Sequence, residues 1–339
     1  MSAGKDDHYY GGQAVIEGVM MRGKRDYAVA VRRADGQIVL LREDLPRHAR
    51  EGSWLQWPLL RGNYALYESL ALGLKALQFS ANVAMLDERE ASGAAQAEPA
   101  GTKPGMLTRV LTTLTVVASL ALGLGLFVLL PAWIVDLLPG SHQVGPTTKN
   151  VIEGLVRLLV IVGYIKAISL MGYVRRVFEY HGAEHATINC YESGRPVTLE
   201  NCLGFSPLHP RCGTAFLLLV IVLKIIIGSF FGWPVLWLRL LLRLGMLLPI
   251  AALAYEVLRF AGRHRQSVLA QVLSYPGLLL QKLTTRRPDP DQIKTALYSL
   301  AALSPEVALP ADWPLPQRVD AELNPIVEEG RSDGLAKSL

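Results

Sequence analysis

Two hydrophobic periodicities divide the chain. Through about the first fifty residues, short apolar runs alternate with glycines and polar positions. Residues 11–23 (GGQAVIEGVMMRG) read as an apolar strand between tight turns. The runs 27-YAVAVRR-33 and 37-QIVLLRE-43 flank Ala34, Asp35 and Gly36, a β-hairpin signal. No G-x-G-x-x-G leads into a helix, so these glycines do not form a phosphate-binding fingerprint. Residues 1–52 are therefore expected to be a small β-rich unit. From residue 53 the spacing changes. Leu66, Leu70, Leu74, Leu77, Ala81 and Met85 recur every three or four positions and predict an amphipathic helix over 53–86. It would lie on a bilayer or pack against a membrane bundle, with Trp54 and Trp57 at its start. A core helix of the N-terminal unit is the competing reading. Residues 87–105, rich in Ala, Gly, Glu and Pro, predict a flexible linker.

Longer apolar runs follow. Residues 110–135 carry no charge and are long enough to cross a hydrocarbon core of about 30 Å at about 1.5 Å per residue. Further spans are expected over 152–174, with Lys166 inside, over 213–233, with Lys224 near the middle, and over 240–260. The last contains Arg243, Pro249 and Glu256; Arg239 and Arg243 would fall on the outer side, against the positive-inside pattern, so it and its predecessor could instead form a re-entrant pair. Residues 266–303 predict C-terminal amphipathic helices, the second capped at Asp289-Pro290-Asp291-Gln292. Beyond them, 304–339 is proline-rich and charged and reads as a disordered tail. The expected fold is mainly α: a polytopic membrane bundle of about four spans in 106–265, with a small β-containing N-terminal cytoplasmic unit.

Composition agrees with a membrane protein. Of 339 residues, 51% are hydrophobic and 19% charged, and the mean hydropathy is +0.28. The formal net charge of +5 needs no nucleic-acid partner, because Arg175, Arg176, Arg259, Arg263 and Arg265 stand beside apolar segments as positive-inside flanks do. The polar N-terminus lacks the apolar core of a signal peptide. An inner-membrane, multi-pass protein with both termini and the 175–212 loop in the cytoplasm is expected. Cys190, Cys202 and Cys212, an odd number in one short stretch, point to reduced thiols or metal ligands rather than disulfides.

The candidate chemistry lies in 177-VFEYHGAEHATINCYESG-194. His181 and His185 are one helical turn apart and can grip one divalent ion, with zinc the natural choice. Glu184 can then take a proton from a metal-bound water, the inverted zinc-hydrolase arrangement. A catalytic site of this kind has three protein ligands and one open position. Glu256 could be the third ligand, although Arg259, three residues away, could pair with it instead. His209 and Cys212, in 209-HPRC-212, could both join, and a shell closed in that way would be structural. Glu17, alone among apolar neighbours, is expected in a salt bridge, with a role at the site as the alternative. Lys166 and Lys224 are expected to face the bundle interior.

The segments GGQAVIEGVMMRG (11–23), EYHGAEHATINCYE (179–192), HPRCGTAFLL (209–218) and AYEVLRFAG (254–262) resemble the YqhQ-like bacterial membrane proteins, a domain family of unknown function. The resemblance covers most of residues 11–300. It implies a metal-dependent enzyme of unassigned activity, and it places Glu17, His181, Glu184, His185, His209, Cys212 and Glu256 inside family motifs. Ala186 departs from the lysine usual after the second histidine. The reading that follows is a metal-dependent, zinc-type hydrolase at the cytoplasmic membrane face, acting on a membrane-associated peptide or lipid-linked substrate. The alternatives are a scaffold with a structural zinc site, or a small transporter using Lys166, Lys224 and Glu256.

Overall fold

The structure, a computed structural model, describes residues 10–45, 57–93, 106–140, 143–264 and 267–326. Its organising element is the small sheet. Strands β1 (Gly11–Val15), β2 (Gly18–Arg22), β3 (Asp26–Arg32) and β4 (Ile38–Asp44) form an antiparallel meander in sequence order. The expected hairpin is β3–β4, turning through Gly36 at φ 86°. The tight turn between β1 and β2 is made by a non-glycine, Glu17, at φ 49°.

Both faces of the sheet are buried, which is why its strands read as nearly continuous apolar runs. Alternate residues point to opposite sides. Val19, Met21, Ala28, Ala30 and Leu40 pack on Tyr180, Ala183 and Ile188 of α5 (Gly172–Glu192) and on Ile293, Leu297 and Leu300 of α11 (Pro290–Ala301). Val15, Met20, Val29, Val31 and Leu41 pack on Leu72, Ala76, Phe79 and Val83 of α1 (Leu60–Ala91). At the centre, the Ser299 hydroxyl donates to the Ala28 carbonyl at 2.9 Å and accepts from the Met21 N–H at 3.1 Å. The sheet is thus the middle layer of a sandwich whose helices come from three distant parts of the chain. One face of α1 is a core face, the reading that competed with a purely interfacial helix. Trp54 lies outside the described residues.

Two boundaries differ from expectation. Helix α1 continues through Ala91, into the stretch read as linker, with Arg33 paired to Asp87 at 2.7 Å and to Glu90 at 2.6 Å; residues 94–105 lie outside the described part. The segment after 303 is ordered as far as 326, against the expected disorder. Strand β5 (Gln317–Arg318) pairs in parallel with β4, and Val319 donates to the Leu40 carbonyl. Val307 and Val319 are buried, and the Tyr298 hydroxyl donates to the Pro314 carbonyl at 2.6 Å. A proline-rich segment offers few N–H groups, and this one satisfies them by covering the exposed edge of β4. Residues 327–339 lie outside the described part.

The remaining helices form the apolar bundle. Helix α2 (Met106–Leu124) runs through a π turn, Gly125–Leu129, into α3 (Leu130–Leu137). Then come α4 (Pro146–Ile168), α7 (Gly213–Gly228), α8 (Leu236–Gly245), α9 (Leu247–Arg263) and α10 (Val268–Thr284), while the short α6 (Leu199–Leu203) packs with α5 and α11 in the core of the sheet. Among the described residues, three helical stretches are long and apolar enough to cross a membrane: Leu60–Ala91, Thr113–Leu137 and Trp237–Arg263. This set is not the expected four. Helix α7 stops at Gly228, and at about 1.5 Å per residue it falls short of a core about 30 Å thick. Helix α4 carries Lys149, Glu153, Arg157 and Lys166, with Glu153 and Arg157 buried. Lys166 is exposed, not directed into the bundle as expected. Helices α7 and α10 cross closely because Gly277 lies against Ala215, where a side chain would not fit.

Candidate metal centre

The site is assembled on the buried half of α5. His181, Glu184 and His185 share one face of this helix, and the face is covered by chain that follows α10 and by the loop before α7. Gly182 lets that chain approach. A Cβ there would strike the Arg286 carbonyl, and the Arg286 N–H donates to the Phe178 carbonyl at 2.9 Å. The approach brings the Thr284 carbonyl to 2.8 Å from His181 Nδ1. The loop is held by the Asn189 amide, which donates to the carbonyls of Ser206 at 2.8 Å and Leu208 at 3.0 Å. It places the Pro207 carbonyl 2.7 Å from His185 Nδ1.

These contacts fix the chemistry of both rings. A carbonyl can only accept, so each Nδ1 carries the proton and each Nε2 keeps a lone pair. The His181 Nε2 lies 3.2 Å from Cys212 Sγ. Cys212 caps α7 and accepts from the Thr214 N–H at 3.4 Å. His181, His185 and Cys212 present donor atoms that all lie within 4.8 Å of one another. Two imidazole nitrogens and a thiol sulfur, with the outer nitrogens tied to backbone, make a donor set suited to zinc.

Glu184 lies beside this group at 5% exposure. It sits against Gly12 of β1, where a Cβ would come within 2.8 Å of its Cγ and 2.9 Å of its Cδ. Among the described residues its carboxylate has no hydrogen-bond or ion-pair partner. Burial raises its pKa to about 7. His181, Glu184, His185 and Cys212 all line one cleft of about 2030 Å³, walled by β1 and by residues of α1, α7, α9 and α10.

The other expected ligands are placed differently. His209 stays outside the donor group, with its ring 5.7 Å from that of His185 between centroids and its Nε2 3.5 Å from the Glu192 carboxylate. Its backbone is clamped from both sides by the buried Gln281 amide, which donates to the His209 carbonyl at 2.8 Å and accepts from its N–H at 2.9 Å. The expected His209–Cys212 ligand pair therefore divides, with the cysteine in the group and the histidine behind it. Glu256 is not brought to the imidazoles. Both of its oxygens accept from Arg61 of α1, a partner 195 residues away, instead of from the neighbouring Arg259. Glu17 makes the expected salt bridge, to Arg176, and accepts from the Tyr180 hydroxyl at 3.3 Å. Lys224 is half-buried among Glu153, Arg157 and Arg243, about three helical turns along α7 from Cys212.

Sequence reasoning did not find Gly12, Gln281, Glu192 or the Thr284 and Pro207 carbonyls. Gly12 and Glu192 lie inside the motifs singled out above and could have been suspected. The carbonyls leave no side-chain signal.

Comparison with known proteins supplies a family and no activity. Residues 57–306 match the family described as "Protein of unknown function (DUF1385)". The "Uncharacterized protein YqhQ" of Bacillus subtilis (strain 168) is 35% identical over 304 residues, covering 89% of this chain and 94% of that protein. No solved structure matches the chain. The chain belongs to the DUF1385, YqhQ-like family.

Proposed function

We propose that this member of the family is a metal-dependent hydrolase working at a membrane surface. His181, His185 and Cys212 are its ligands and Glu184 its general base. One observation carries the reading: both imidazoles give their Nδ1–H to backbone carbonyls and keep Nε2 for a centre shared with Cys212, while a buried carboxylate with no partner among the described residues lines the same cleft. Zinc is the favoured ion because the set mixes nitrogen with sulfur, and three protein donors leave the fourth position that catalysis needs. A divalent ion there would supply Lewis acidity and a nucleophile at neutral pH.

The residues divide the remaining work. Among the described residues no partner competes for a proton on Glu184, so it can take one from the attacking water and pass it to the leaving group. Gly12 makes room for the carboxylate and caps it from the sheet side. Thr284 and Pro207 hold the two rings in one tautomer. The cleft runs from this polar end along apolar side chains such as Phe216, Leu258 and Leu278, which fits a substrate with an apolar part, a membrane peptide or a lipid-linked molecule. The arginine flanks favour an inner-membrane placement with the site and both termini on the cytoplasmic side. His209's position outside the donor group favours this reading over a closed structural clasp.

The test is metal analysis of the purified full-length protein beside a cellular complementation assay. Glu184→Gln is expected to keep the metal and lose function, whereas His185→Ala and Cys212→Ser lose both. A Glu184→Gln protein that complements fully would leave a structural site. Wild-type protein without bound metal would end both versions.

A further inference from the structure

A second polar cluster lies at the other end of α7, about three turns of helix from Cys212. It joins α4, α7 and α8, with Glu153, Arg157 and Arg239 buried and Lys224 and Arg243 partly buried. Glu153, 1% exposed, pairs with Arg157 at 2.5 Å and with Arg243. Arg157 also donates to the Phe127 carbonyl at 2.9 Å, in the π turn of the α2–α3 helix. Arg239, 4% exposed, reaches Asp136 at 3.2 Å. Lys224 lies within electrostatic reach of Arg157, Arg243 and Glu153.

The charges do not balance. Among the described residues, Arg157, Lys224, Arg239 and Arg243 face the carboxylates of Glu153 and Asp136, and the Asp136 side chain is 48% exposed. Buried cations in excess of their carboxylates are costly in protein and more so in a membrane. The hydrogen bonds are also incomplete. Among the described residues, Nε and Nη1 of Arg239 and Nη1 of Arg243 are buried without an acceptor. Both guanidinium groups lie over the ring of Trp233, at 4.1 and 5.9 Å from its centroid. An aromatic ring attracts a cation but accepts none of these N–H groups in the plane of the guanidinium, and a phosphate would be such an acceptor. Beside them, Trp237, Leu241 and Leu244 of α8 are exposed apolar side chains, suited to acyl chains.

We infer that Arg239 and Arg243, supported by Lys224, form a binding site for a phosphate-bearing anion, seated where α8 meets α4 and α7. The phosphate completes the buried N–H groups and offsets the excess charge. It can come from an anionic phospholipid, whose acyl chains would lie along α8, or from free phosphate in solution. The site is separate from the histidine–cysteine group and stands or falls without it.

The experiment uses delipidated full-length protein in a neutral detergent, with thermal unfolding and equilibrium binding as readouts. The probes are phosphatidylglycerol, phosphatidylcholine and inorganic phosphate. Phosphatidylglycerol is expected to bind and to raise the Tm, with phosphatidylcholine without effect. Arg239→Gln and Arg243→Gln should each weaken binding by about tenfold or more, as loss of a charged hydrogen bond does. Asp136→Asn removes a competitor for Arg239 and should tighten binding severalfold, a gain that misfolding would not produce. If inorganic phosphate gives the same arginine-dependent shift, the site is supported with solution as its source; a shift confined to phosphatidylglycerol supports the lipid. Equal stabilisation by phosphatidylcholine overturns the proposal, as does no shift with either anion, or binding unchanged in all three variants. Metal content should equal wild type in every variant.

Discussion

The two ends of α7 handle buried polarity in opposite ways. At its N-terminus, Cys212 joins two imidazoles whose outer nitrogens are satisfied by backbone carbonyls, so the inward atoms are left as lone pairs. Toward its C-terminus, Lys224 stands among full charges that are held by one another, and N–H groups are left over. The first end is an arrangement of acceptors and suits a cation. The second is an arrangement of donors and suits an anion. The contrast lies in the surroundings of one apolar helix: what differs is which groups the neighbouring chain satisfies first.

The largest expected effect comes from removing the carboxylate at the donor-rich end. Glu153→Ala leaves Arg157 and Arg243 buried without their shared partner, and breaking a buried pair from one side costs about 3–5 kcal/mol. Thermal unfolding in detergent would measure it as a Tm far below wild type. A near-normal Tm would mean that these arginines reach water, and the contrast between the two ends would collapse. Arg157→Ala, which removes one excess cation as well as a partner, should cost less.

At the acceptor-rich end the sharpest steric probe is Gly12→Ala. The added Cβ would sit 2.7 Å from the Met20 carbonyl oxygen of β2 and 2.8 Å from Glu184 Cγ, so β1, the carboxylate or both must move. Crowding of this kind typically costs about 1–3 kcal/mol. Function in the complementation assay is expected to fall more than metal content, because the displaced group is the proposed base and not a proposed ligand. Equal loss of both would mean that the strand, rather than Glu184, has moved.

A smaller effect is expected at Gln281, which touches no donor atom and clamps the His209 backbone behind His185. Supporting residues of this kind typically change metal affinity by about 10–100-fold. Gln281→Ala should therefore weaken zinc binding in a competition titration with a chelator while leaving the donor set intact. Unchanged affinity would show that the loop is held well enough by Asn189 alone.

These contrasts explain what could be read from the sequence. The β3–β4 hairpin was legible because alternation and a glycine turn are local, and so was the one-turn spacing of His181 and His185. The partners were not. Arg61 takes Glu256 from 195 residues away, while the sequence offered Arg259 three residues off, because helical spacing says nothing about which helix packs alongside. Glu153 and Arg157 were readable in principle, since opposite charges four apart inside an apolar run suggest a buried pair. The apolar length of the segment hid them. The ordered tail was hidden for another reason: its proline content predicts the absence of regular structure, but only the open edge of β4 makes that segment useful.

The smallest effect is expected between the two ends, at the pair of Glu17 and Arg176. It joins the β1–β2 turn to α5 in the helix that carries the histidines, so it could be taken for part of the site. Its side chains are 32% and 43% exposed, and ion pairs as open to water as this contribute about 0–1 kcal/mol. Glu17→Gln keeps the size of the side chain and can still accept from Arg176. It should lower the Tm by little and leave metal content and complementation unchanged. The backbone gives a second way to question that expectation. Glu17 holds φ 49°, where glycine is favoured over other residues. Glu17→Gly therefore removes the ion pair and relieves the turn together. If Glu17→Gly is as stable as wild type while Glu17→Gln is slightly weaker, the pair and the turn oppose each other with similar magnitude. If both variants lose function with metal retained, Glu17 acts on the site through α5, and the polar organisation of the acceptor-rich end extends one helical turn further than the cleft.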